Sequence, residues 1–154
     1  MKECSGSKGI YWEKYLMLSA TLFPWLDTLE FTFEYKGILN IIVDRGSKYT
    51  VSGWRITTKD ELKPRLKKHL ADKYFQKATH NTYAYRIQTP EWAIIEWKND
   101  DGETWAWQCI LWQLQRKNVI NGVVVVTRYF GGVQLHADRF KHVVDATKGF
   151  LERI

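Results

Sequence analysis

A chain of 154 residues that is 45% hydrophobic, with 8 Trp, 8 Tyr and 7 Phe, holds enough apolar material for one domain with a sizeable core, which excludes disorder along its whole length. Its formal charge of +6 and pI near 9.3 favour an anionic partner, whether RNA, a ribosome, an acidic protein surface or a headgroup layer. Cys4 and Cys109 are too far apart to suggest a disulfide framework or a metal cluster, so a cytoplasmic setting is expected, with no cofactor and no metal.

Residues 1–10 read as a flexible start. Tyr11 to Leu26 is mostly apolar; broken by Pro24 and preceded by Glu13 and Lys14 at its longest run, it is too short for a bilayer span and unlike a secretory signal, so no membrane partner is expected. Leu29, Phe31, Phe33 and Tyr35 alternate with Glu30, Thr32, Glu34 and Lys36, the two-residue period of a strand with one wet face. Lys36-Gly37 then offers a turn into Leu39 to Val43, which predicts a hairpin. Residues 1–42 are assigned to an N-terminal extension and 43–154 to the main domain.

Tyr49 to Ile56 predicts a further strand, and Thr58 with Glu61 a capping-box start for a helix reaching about Phe75. Pro64 should kink that helix or delay its start, since an interior Pro costs roughly 3 kcal/mol. Thr82 to Ile87 and Trp92 to Trp97 read as a second hairpin joined around Thr89-Pro90, with Tyr83, Tyr85 and Ile87 on one face. After the Asp100-Asp101-Gly102 turn, Trp107, Ile110, Leu111 and Leu114 recur at helical spacing until Asn121-Gly122. Trp105 lies about 200° from Trp107 around such a helix, so Trp107 is assigned to the core and Trp105 to a second stripe near Cys109 and Trp112, which the extension is expected to cover.

Val123 to Phe130, opening with four valines, predicts a central strand buried on both faces. A last helix after Gly131-Gly132 buries Phe140, Val143, Val144, Thr147 and Leu151. The order predicts an α+β fold, a two-layer α/β sandwich with a mixed sheet covered by helices on one face.

Candidate chemistry is sparse. His80, Asp100, Asp101 and Glu103 sit at predicted strand ends, where an imidazole beside carboxylates could serve a hydrolase as acid and base. Asp100 with Glu103 also has the spacing of a helix cap and its reciprocal partner, the commoner use of such a pair. Gly131-Gly132 could cradle a phosphate, and Arg128, Tyr129, Arg139, Lys141 and His142 flank it with basic and aromatic groups of the kind RNA binding needs. The first helix and its exit carry Lys59, Lys63, Arg65, Lys67, Lys68, Lys73 and Lys77 against only Asp60, Glu61 and Asp72, a basic face suited to RNA or an acidic protein.

Four blocks in order, Ala78-Thr79-His80-Asn81-Thr82-Tyr83-Ala84-Tyr85-Arg86-Ile87, Asp100-Asp101-Gly102-Glu103-Thr104, Val123 to Gly132 and Asp138-Arg139-Phe140-Lys141-His142, resemble the motif set of the IMPACT family, which singles out His80, Asn81, Asp100, Asp101 and Glu103 as family-motif residues. The resemblance runs from about Val43 to the C-terminus and is closer to eukaryotic members, although the N-terminal domain of those members is not expected in this chain. It implies a βαββαβα-type fold shared with a ribosomal-protein domain, and regulation of translation through protein partners rather than catalysis: a regulator in the pathway of the initiation-factor kinase, or the ribosome. Two departures stand out. Trp105-Ala106-Trp107 follows the acidic block where the family has small residues, and His136 in Leu135-His136-Ala137 replaces a glycine.

Overall fold

The computed structural model describes residues 27–99, 101–102 and 105–154; the Tyr11 to Leu26 segment, Asp100 and the expected cap partner Glu103 lie outside the described residues. Along the chain run β1 (Leu29–Glu30), β2 (Lys36–Asp44), β3 (Ser47–Arg55), α1 (Lys59–Leu70), α2 (Lys73–Gln76), β4 (His80–Gln88), β5 (Ile94–Asn99), α3 (Ala106–Arg116), β6 (Val119–Ile120), β7 (Gly122–Tyr129) and α4 (Asp138–Glu152). Five strands form one sheet in the order β2-β3-β7-β4-β5, every neighbour antiparallel, while β1 pairs in parallel with β6.

The valine run occupies the centre of that sheet as expected, and alternation decides what each valine meets. Val124 and Val126 share a core with Tyr49, Val51 and Ala84 under Cys109, Ile110 and Leu114 of α3 and Val143, Ala146 and Phe150 of α4. Val123 and Val125 face the other way, into Trp54, Ile56, Tyr85 and Ile87, with Leu62 and Leu66 of α1 above them. The α+β sandwich therefore gains a cover on its second face. The ring of Phe150 fills the space above Gly53, where a side-chain carbon would come within 2.8 Å of it.

The first hairpin is displaced from its expected position. Lys36-Gly37 is no turn but the start of β2, and the chain reverses at Arg45-Gly46, between the paired Asp44 and Ser47. Both turn residues have positive φ, 47° and 83°, matching a tight turn that suits twisted strands. The Phe31 to Tyr35 alternation forms no long strand either. Phe31 N–H donates to Ile120 O at 3.2 Å and Arg55 N–H to Phe33 O at 3.0 Å, so this stretch is tied across the end of the sheet. Strand β2 crosses the boundary drawn at residues 42 and 43.

The basic helix starts at Lys59, with Pro64 inside it, and stops at Leu70 rather than reaching Phe75. Asp72 ends the continuity, because its carboxylate accepts from the Tyr74 N–H at 2.7 Å and caps the new helix α2. Likewise α3 stops at Arg116, short of Asn121, where Asn118 turns left-handed (φ 49°) to admit β6. In α4, Phe140 and Val144 are only half-buried, and Phe150 and Ala146 supply the deepest contacts.

Candidate functional site

Helix α1 has two flanks with different company. Leu62, Leu66 and His69 are turned to the sheet. On one side Arg65 is anchored, donating to Arg55 O at 3.0 Å and Glu34 O at 2.6 Å. Beside it lies a cleft of about 420 Å³ lined by Tyr35, Trp54, Arg65, Lys68, His69 and Phe75 among others. Tyr35 stacks on Trp54 at 6.2 Å between ring centroids, and burial holds His69 down to about 4 and so neutral at pH 7, against the opposing pull of Asp72. Sequence reading missed this aromatic cluster, because Tyr35 and His69 are far apart in the chain and neither stands in a motif.

On the other side, Lys59 places its ammonium 5.2 Å from the Trp97 ring centroid, on β5. Lys63 and Lys67 follow at helical spacing, and both are exposed, as is Lys68. Among the described residues, none of these four lysines has an ion pair. Glu61 accepts from Thr57 Oγ1 at 2.7 Å and Thr58 Oγ1 at 3.3 Å, and the Thr58 side chain makes no cap bond, so the helix start is held by hydroxyl donors and not by the expected capping box.

The Gly131-Gly132 turn is a joint between backbones. A side-chain carbon on Gly131 would stand 2.0 Å from the Gly46 carbonyl carbon, and the Gly131 N–H donates to Ser47 Oγ at 3.1 Å. Strand alternation sends its two neighbours apart. Arg128 is 5% exposed, with its guanidinium near the Tyr49 and Phe130 rings, while Tyr129 points to the other face and donates to Tyr74 O. Arg139 lies over the Phe140 ring at 4.8 Å, and Lys141 is exposed. Arg128 and Tyr129 thus do not share one face.

A charged network that sequence reading missed surrounds the same joint. Asp44 bonds His142 Nε2 at 2.7 Å and Arg45 at 3.0 Å, and Arg45 reaches Asp138, the first residue of α4, at 2.5 Å. The Arg45 hydrogen bond, followed by that of His142, draws the Asp44 carboxyl down to about 2.

His80 and Asp101 do come together, through the backbone oxygen of Asp101 and not its carboxylate. His80 Nδ1 bonds the Asp101 backbone oxygen at 2.8 Å, while Asp101 Oδ2 accepts the Asn81 N–H at 2.8 Å. Asn81 also donates from Nδ2 to Phe75 O and accepts from Thr127 Oγ1, both at 2.8 Å, fixing α2 to the sheet. Arg86 from the same sequence block is buried, with Nη1 donating to Val119 O at 3.0 Å and Nε to Glu96 at 2.9 Å. Both departures from the family pattern fall at left-handed backbone positions, Trp105 at φ 72° and His136 at φ 51°, where glycine is the easiest residue. Trp105 is 47% exposed and stacks against the half-buried Trp107 at 6.4 Å, whereas Cys109 belongs to the core and not to a second stripe. Among the described residues, no group of three His, Cys, Asp or Glu could hold a metal ion, and no helix is long and apolar enough to cross a membrane.

Comparison with known proteins places residues 45–151 under the model of the Impact N-terminal domain. Protein IMPACT of Rattus norvegicus is 37% identical over 111 residues, 71% of this chain and 35% of that protein. The Protein IMPACT homolog of Schizosaccharomyces pombe is 37% identical over 102 residues, 66% of this chain and 36% of that protein. The chain thus spans about a third of the length of these relatives. Among solved structures, the two-domain translational regulator Yih1 superposes with a TM-score of 0.52 at 31% identity, over 77% of this chain and 45% of that one. A hypothetical protein of known structure shares the fold, with a TM-score of 0.63 at 21% identity over 78% of this chain and 56% of that one.

Proposed function

Because this chain belongs to the IMPACT family, we propose that it is a translation-regulating binding module, engaging either a regulatory protein of the initiation-factor kinase pathway or the ribosome. The observation that carries this reading is the exposed row of Lys63, Lys67 and Lys68 on α1, in a chain 31% identical to a translational regulator of known structure. A lysine row without acidic partners offers its full charge to an anionic surface. The hydrogen bonds that occupy Asp101, Asn81 and His80 support binding over hydrolysis, since these groups brace the β4 entrance and α2.

The test is co-sedimentation of the purified chain with ribosomes, alongside retention on the immobilised regulatory protein of that kinase pathway, the large co-activator of the kinase. Association in at least one assay is expected, weakened by joint Lys63→Glu, Lys67→Glu and Lys68→Glu replacement with little change in melting temperature. No association in either assay at micromolar concentration would overturn the reading.

A further inference from the structure

Helix α1 covers only part of its face of the sheet. Leu62 and Leu66 pack over residues of β3, β7 and β4, and β5 lies beyond them at the sheet edge. Cross-strand pairing puts Trp97 beside Tyr85 and Ile95 beside Ile87, so Trp97 and Ile95 continue that face outward, with the Lys59 side chain reaching over Trp97. Trp97 is 54% and Ile95 39% exposed, and half-buried Tyr83 lies diagonally next to Trp97. The result is a shelf floored by an indole, a phenol and an aliphatic side chain.

The wall of this shelf is the Lys59, Lys63 and Lys67 side of α1, because the Lys59 ammonium sits over Trp97 while Arg65 anchors the opposite flank. A π-face and a cation in contact satisfy both halves of a nucleotide, the base by stacking and the phosphate by charge. An acidic peptide would neutralise the lysines but make no use of the flat indole. Duplex RNA hides its base faces and would leave the indole unstacked. We propose that this shelf is a binding site for single-stranded RNA, with bases stacked on Trp97 and Tyr83 and the backbone phosphates running along Lys59, Lys63 and Lys67. The site is distinct from the Gly131-Gly132 turn, and it does not depend on which translational partner the module engages.

The experiment is a fluorescence-anisotropy titration of the whole chain with labelled oligouridylate across a range of salt concentrations, with duplex RNA and polyglutamate as competitors. Trp97→Ala should weaken binding about tenfold, as loss of one stacked base does. Trp97→Leu keeps the apolar bulk without the π-face and should lose as much, whereas Trp97→Phe should retain most of the affinity. Joint Lys59→Glu and Lys63→Glu should flatten the dependence of affinity on salt. Lys148→Glu, the same charge reversal at one exposed position of α4, should alter affinity by less than about twofold. Unchanged affinity in both Trp97→Ala and Trp97→Leu, equal affinity for duplex RNA, or displacement by polyglutamate at matched charge would each overturn the proposal. A failed RNA titration leaves the ribosome and co-activator assays to decide the translational reading separately.

Discussion

Gly131 lies so close to Gly46 that a methyl group on it would stand 2.0 Å from the Gly46 carbonyl carbon. This contact locks the β2–β3 turn against the loop that leads into α4. Gly131→Ala must push the two backbones apart, and a cost of about 3 kcal/mol is expected in denaturant titration. Gly132 has open space around it and a φ of 91°, so Gly132→Ala should cost only about 1 kcal/mol, for the backbone alone. Equal losses in the two variants would remove the close contact from the account.

The charged network at the same joint gives a pH signature. Asp44 is held at about 2 in the folded protein, below its ordinary 3.8, so it contributes stability above pH 3.8 that is lost as pH falls through about 2. Thermal melts of Asp44→Asn should lie below those of the native chain at pH 6, with the gap closing towards pH 2. A gap independent of pH would show that the ion pairs to Arg45 and His142 are not the cause.

His69 acts in a higher window and with the same sign. Its folded value of about 4 lies below the 6.5 of the unfolded chain, so the unfolded state takes up protons first and stability falls as pH drops from 6.5 to about 4. His69→Gln should flatten this stretch of the curve of melting temperature against pH. An unchanged slope would place the imidazole in water, and not against Trp54 and Phe75.

His136 keeps a left-handed backbone that suits glycine, at φ 51°. His136→Gly should therefore raise stability by about 0.5 to 1 kcal/mol, relief of strain being partly offset by the freer unfolded chain. A loss of stability would mean that the imidazole makes contacts worth more than the strain.

Phe150→Ala should cost about 3 to 5 kcal/mol, because its fully buried ring fills the space above Gly53. The half-buried Phe140 should cost clearly less in the same titration.

Periodicity carried the reading where one pattern faced one environment. The four valines and the β4–β5 hairpin follow from side-chain alternation, helical spacing found Val143, Thr147 and Leu151 of α4 but set Phe140 and Val144 too deep, and the order of the motif blocks pointed to the family. Reading failed where a remote partner decided the outcome. Lys36-Gly37 looked like a turn, but Arg45-Gly46 makes it, with Arg45 held by Asp44 and by Asp138 from the far end of the chain. Asp72 cut the basic helix through a capping bond that a charge count does not reveal. The basic flank of α1 was legible as composition. That one side faces Trp97 and the other an aromatic cleft follows only from the packing of α1 on the sheet.

The central claim is that this module regulates translation by binding. The most direct measurement adds the purified chain to a starved cell-free extract, following protein synthesis and initiation-factor phosphorylation together. The account predicts a dose-dependent change in at least one readout, lost in the joint Lys63→Glu, Lys67→Glu and Lys68→Glu variant. No change in either, with the chain in clear excess over ribosomes, would contradict it.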